Sequence, residues 1–224
     1  MIFGLILVLA VAVVDWIAVA KGWKKVEYIA KPWTMAALFL VLALVGRFSS
    51  LPLILFGLGI LFSLAGDVFL MFSDRWFIPG LVSFLLAHVA YIIGFNLPLP
   101  VVSPTWALIV ALVLAFSAAR LLRPIVAGLA AKGQRKLIGP VVVYGVVITL
   151  MLLSAMLTLF RADWPSPVAA ALAAIGAMLF FYSDAILAWI KFVAPIKNGR
   201  MMNMITYHLG QIALIAGVLI QFTK

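Results

Sequence analysis

Two acids stand inside runs of otherwise apolar residues: Asp67 in "FSLAGDVFLMF" and Asp184 in "FFYSDAILAW". If those runs span a bilayer, an ionised Asp near the centre of each costs about 2.5–3.5 kcal/mol on insertion scales, so two of them need a compensating reason. Two carboxyls brought together in a water-poor site divide into one protonated and one ionised group. Such a pair can give a proton and stabilise a cation. Asp67 and Asp184 are the candidate catalytic residues.

Other polar side chains share their surroundings. Asn203, Tyr207 and Gln211 are spaced four apart and form one stripe on a helix, and His88 with Tyr91, three apart, forms another. These are candidate substrate contacts, although His88 reads equally well as a hydrogen-bonded core residue. His208, turned about 100° from Tyr207 on a helix, reads as a core histidine. Asp15, followed by Trp16, reads as an acid that pairs with a lysine or caps a neighbouring helix. Asp74, Asp163 and Glu27 read as solvated loop residues, and the Phe and Met content as packing.

The elements that hold these residues follow from composition. The chain has 224 residues, 67% of them apolar and 10% charged, against about a quarter charged in soluble domains. Hydrophobic runs near residues 2–20, 30–46, 51–72, 77–96, 104–120, 137–160, 167–190 and 201–222 are each long enough to cross a bilayer. The expected fold is an all-α integral membrane bundle of eight transmembrane helices in a single polytopic domain, 1–224. The first run lacks the basic start and cleavage pattern of a signal peptide and is expected to be retained as a helix. With no cysteine, two histidines and six acids, the chain has no disulfide or thiolate chemistry and little room for a metal site; no metal and no cofactor is expected.

The net charge of +10 does not point to nucleic acid, because the basic residues cluster between the runs. Threaded alternately, one side receives 13 of the 16 Lys and Arg, in "KGWKKVEYIAK", "SDRW", "RLLRPIVAGLAAKGQRK" and "KFVAPIKNGR", while the other keeps Arg47, Arg161 and Lys224. This asymmetry predicts both termini outside and the basic loops in the cytoplasm, in the inner (plasma) membrane if the source is bacterial.

The two halves, 1–103 and 104–224, echo each other as two parallel four-helix repeats would. Each places an acid near the inner end of its third span, and "FLLAHVAYIIGF" answers "NMITYHLGQIALIAG" in the fourth. The second spans carry Pro32 and Pro140 near their starts, where a missing N–H costs a helix nothing.

Six ordered blocks carry a family likeness: "AKPWTM" at 30–35, "GDVFLMF" at 66–72, "FLLAHVAYIIGF" at 84–95, "GPVVVYGVVI" at 139–148, "FFYSDAILAW" at 180–189 and "TYHLGQIALIAG" at 206–217. Through them the chain resembles the YhhN and TMEM86 family of lysoplasmalogenases. The resemblance implies an integral membrane hydrolase of about eight spans that cuts the vinyl ether bond of a lysophospholipid, releasing a fatty aldehyde and a glycerophospho-ethanolamine or -choline without a cofactor. It sets Asp67 and Asp184 at the family's acidic positions, and Lys31, His88, Tyr91, Tyr144, Tyr207 and Gln211 at its other recurrent polar ones. His208 beside the tyrosine is a departure.

That reaction suits two carboxyls. A proton goes to the β-carbon of the vinyl ether, water captures the oxocarbenium ion, and the hemiacetal collapses to aldehyde and alcohol. Either assignment of acid and anion to Asp67 and Asp184 fits the sequence. A lysolipid with its headgroup at the basic surface would put its vinyl ether near the aspartates, with Lys31, Lys197 or Arg200 on the phosphate. The alternative from another class is a proton-coupled transporter or lipid-binding membrane protein, which would favour broken central helices. An intramembrane aspartyl protease fits less well, since Leu64-Ala65-Gly66-Asp67 and Tyr182-Ser183-Asp184 depart from its Gly-x-Gly-Asp and Tyr-Asp patterns.

Overall fold

A computed structural model describes residues 1–72 and 74–223. Among them run eight long helices, each apolar enough to cross a membrane. They are α1 (Ile2–Lys21), α2 (Lys24–Gly46), α3 (Leu51–Met71), α4 (Phe77–Phe95), α5 (Pro104–Ala131), α6 (Ile138–Leu157), α7 (Pro167–Phe192) and α8 (Gly199–Phe222). Short 3-10 turns precede α4 and α6 and follow α6, and the described residues contain no strand. The chain is a multi-pass membrane protein. Large apolar side chains such as Phe3, Leu44, Leu112 and Phe116 stand exposed on the outer faces, as lipid contact requires.

Helix α8 lies at the centre, packed against α1, α2, α3 and α7. Small residues make this possible on the α7 side. A methyl group on Gly176 would sit 2.3 Å from the Leu214 backbone nitrogen, and one on Gly210 would sit 2.9 Å from the Gly176 carbonyl oxygen. Without side chains at those two points the backbones approach closely, the packing that replaces hydrophobic drive inside a bilayer. The contact fixes Asp184, on α7, relative to Tyr207, on α8. Helix α5 is at the periphery: it packs on α6 and α7, and of its 28 residues only Ala118, Ile125 and Leu129 are buried.

Three expectations need correction. Helix α2 begins at Lys24, not near residue 30, so Pro32 lies inside it rather than at its start and leaves the carbonyl one turn back without its helical donor. Helix α5 runs to Ala131, well beyond residue 120, because "RLLRPIVAGLAA" keeps an apolar helical face between its arginines. Glu27 is buried rather than solvated, ion-paired with Arg200 at 2.6 Å. Asp74 and Asp163 are exposed, as expected, and each has a partner, Lys191 at 2.7 Å and Arg161 at 2.5 Å. Ser73, in the "SDRW" loop, and Lys224, counted among the outer charges, lie outside the described residues.

Candidate active site

Asp67 and Asp184 enter the bundle from the same end, each held by its own cluster. Asp67, 1% exposed, takes the Lys31 ammonium at 3.0 Å on one oxygen and the Tyr207 hydroxyl at 2.7 Å on the other. Helices α2, α3 and α8 supply the three residues, and the Lys31 ammonium also lies 5.9 Å from the centre of the Tyr207 ring. Inside a bundle the two partners depend on each other, because either one left alone would be a buried charge with neither solvent nor counter-ion.

Asp184 is held differently. Tyr144, on α6, donates its hydroxyl to one Asp184 oxygen, and the Nε2 of His88, on α4, lies 2.9 Å from the same hydroxyl and 3.5 Å from that carboxyl oxygen. Among the described residues no lysine touches this carboxyl, whose side chain is 14% exposed. The tyrosine has one proton, so the chain of bonds has two directions. With Asp184 ionised, His88 Nε2–H donates to Tyr144 and Tyr144 to Asp184; with Asp184 protonated, both bonds reverse and Nε2 accepts. The cluster can therefore hydrogen-bond Asp184 in either protonation state, with Tyr144 keeping its one proton in both.

The exposure of Asp184 is to a cavity. It has about 780 Å³ of empty space, open solvent at its mouth included, and is bounded by α4, α5, α6 and α7 with Leu70 of α3. Its wall is almost wholly apolar, from Phe77, Leu81, Phe84, Leu121 and Ile148 among others; its polar residues are Tyr144, Thr149, Asp184 and Lys191. An apolar wall with a few polar groups suits a hydrocarbon chain laid beside one carboxyl.

Of the sequence-predicted residues, only Asp184 and Tyr144 line this cavity. His88 is fully buried behind them, its ring 4.7 Å from that of Phe180. Phe180 also meets the Tyr207 ring at 5.4 Å, so it touches both clusters. Tyr91 and Gln211 face each other: the Tyr91 hydroxyl donates to Gln211 Oε1 at 2.9 Å, and Gln211 Nε2 donates to Ser63 at 3.0 Å, all of it buried. Asn203 donates to the Ser183 carbonyl at 2.7 Å and ties α8 to α7 beside Asp184. Asp15 has no lysine partner; it is fully buried, 4.0 Å from His208 Nδ1, which accepts the Trp16 indole N–H at 3.1 Å. Lys197 is exposed. Lys191, which lines the cavity, was not singled out by sequence. Its only signal there was its place seven residues after Asp184, on the same helical face.

A family model described as the YhhN family matches residues 26–218, which takes in both clusters. The chain belongs to the YhhN family. Human lysoplasmalogenase TMEM86A is 34% identical over 157 residues, covering 68% of this chain and 60% of that protein. Mouse lysoplasmalogenase TMEM86B is 29% identical over 158 residues, covering 70% and 60%. This YhhN chain thus spans about 60% of the length of the curated relatives it matches. No solved structure matches it significantly.

Proposed function

We propose that this protein is a lysoplasmalogenase: it hydrolyses the vinyl ether bond of a lysophospholipid, with Asp184 as proton donor. The observation that carries the reading is the opening of Asp184, backed by Tyr144 and His88, onto an apolar cavity. The names of the relatives support the same reaction.

The two aspartates then divide their roles by their partners. Asp67, bound to Lys31 and Tyr207, is the permanent anion; Asp184, free of cations, carries the proton. The fatty chain lies in the cavity. The Asp184 proton passes to the β-carbon as the alkene electrons form the new C–H bond, and the ether oxygen stabilises the positive charge left on the α-carbon. Asp184, now a carboxylate beside that cation, lowers its energy and takes a proton from the attacking water. Collapse of the hemiacetal breaks the carbon–oxygen bond, giving aldehyde and glycerophospho alcohol, and Asp184 is left protonated. The water's proton has replaced the one delivered, so the cycle closes without a cofactor.

A duplicated four-helix unit, with halves 1–103 and 104–224, is part of the same proposal. It makes the α2, α3, α8 cluster around Asp67 the counterpart of the α6, α7, α4 cluster around Asp184. Both termini are then outside, and the basic loops cytoplasmic, in the plasma membrane of a bacterial cell.

Aldehyde release tests the reading. Purified protein in detergent should liberate fatty aldehyde from a vinyl ether lysophospholipid, and in D2O the aldehyde should carry one deuterium on the carbon next to the carbonyl. A transporter needs a sealed vesicle and releases no aldehyde. Absence of product, or product without deuterium, would remove the mechanism.

A further inference from the structure

The cavity has one cation in its wall. Lys191, 29% exposed, lies in the last turn of α7, where positive charge also suits the helix end. Its ammonium donates at 2.7 Å to the Asp74 carboxylate, which is 93% exposed, and lies 4.7 Å from the centre of the Phe77 ring. Lys132, at the end of α5, donates to the Lys191 carbonyl at 2.8 Å and brings a second ammonium to the same rim. The other cations expected to meet substrate are committed elsewhere or stand away from the cavity. Lys31 is buried against Asp67, Arg200 is paired with Glu27, and Lys197 is not in the cavity wall.

We propose that Lys191 holds the phosphate of the lysolipid at the mouth of the cavity, where the Asp74 carboxylate now stands in for it. This assignment rests on the lysoplasmalogenase reading and supplies its headgroup site. Asp74 is a replaceable partner: a solvated surface ion pair contributes little, so an incoming phosphate displaces it at small cost. The spacing along α7 fits. Seven residues of helix rise about 10 Å and return to nearly the same face, while phosphorus and the vinyl β-carbon, seven covalent bonds apart, are roughly 9 Å apart when extended. A phosphate on Lys191 therefore brings the alkene to Asp184, and the fatty chain continues into the apolar space beyond. The charge at the rim and the acid within measure the glycerol between them.

Binding tests this without catalysis. The probes are a saturated 1-O-alkyl lysophosphatidylethanolamine, which has no vinyl ether to cut, and the 1-O-alkylglycerol of the same chain length. In detergent-solubilised protein, Lys191→Gln should lower the ratio of their affinities by about ten-fold, the scale of one charge-assisted hydrogen bond. Lys191→Arg should restore most of the ratio, and Asp74→Asn, which removes the competing anion, should raise it about three-fold. An unchanged ratio in Lys191→Gln would overturn the assignment. So would displacement of the alkyl lysolipid by equimolar inorganic phosphate, since a free-anion site needs no chain. The two readings fail separately. A collapsed ratio in a protein that releases no aldehyde keeps the phosphate site and ends the hydrolase; aldehyde release with an unchanged ratio does the reverse.

Discussion

Lys31 places its ammonium 3.0 Å from Asp67, with less than a tenth of either side chain exposed. Removing one partner of a buried pair costs about 3–5 kcal/mol, because the charge left behind has neither solvent nor counter-ion. Asp67→Asn and Lys31→Met should each lower the unfolding temperature in detergent sharply, and the double variant should regain most of the loss. Aldehyde release should stay absent in Asp67→Asn and in the double variant. Recovery of turnover in the double variant would show that the Asp67 charge has no part in the reaction.

Asp184→Asn should behave in the opposite way. The side chain faces the cavity and no lysine depends on it, so unfolding should occur near the wild-type temperature. Turnover should fall by about 10²–10⁴-fold, the range of a lost general acid. Near-normal turnover in this variant would make Asp184 dispensable.

Tyr144→Phe takes out the one hydroxyl that joins His88 to Asp184. Binding of the alkyl lysolipid should persist and maximal rate should drop, because the Asp184 carboxyl loses the hydroxyl that orients it. His88→Ala should give the same separation of rate from binding. A rise in KM at full rate would instead make His88 a binding residue.

Arg161 governs acid stability at the other end of the bundle. Its guanidinium donates to the Phe95 carbonyl at 2.6 Å and to both oxygens of Asp163, at 2.9 and 2.5 Å, which holds the Asp163 carboxyl below the usual range. A depressed native value means that the unfolded chain takes up the proton first on acidification. The contribution is therefore complete above about pH 4, the ordinary carboxyl value, and disappears as pH falls through the lower native one. Unfolding temperatures of wild type and Asp163→Asn should differ at pH 7 and converge as the pH falls below the ordinary carboxyl range. A constant difference would place the effect outside the ion pair.

The eight helices were legible because a bilayer demands long apolar runs, and hydropathy alone reports them. Their ends were not. In α2 and α5 the helix continues through basic turns that read as loop, since an arginine leaving the membrane and an arginine on a solvated helix look alike in one dimension. Asp67 and Asp184 were legible as misplaced charges, but their different standing was not. It depends on partners far along the chain, Lys31 for one, Tyr144 and His88 for the other. Tyr91 and Gln211 showed the right polarity and spacing for a substrate stripe, yet they bond each other across two helices. Lys191 was hidden by its company, one basic residue among 13 that all serve to orient the chain.

Helix α5 walls the cavity through Ala118, Leu121, Leu122 and Ile125 while contributing to neither carboxyl cluster. Under the proposed function, the fatty tail would be gauged by a stave that can be recut independently of the acid chemistry. Bulkier residues at Ala118 shorten the tail that fits, smaller ones at Leu121 lengthen it, and the bond to be broken stays where α6 and α7 present it.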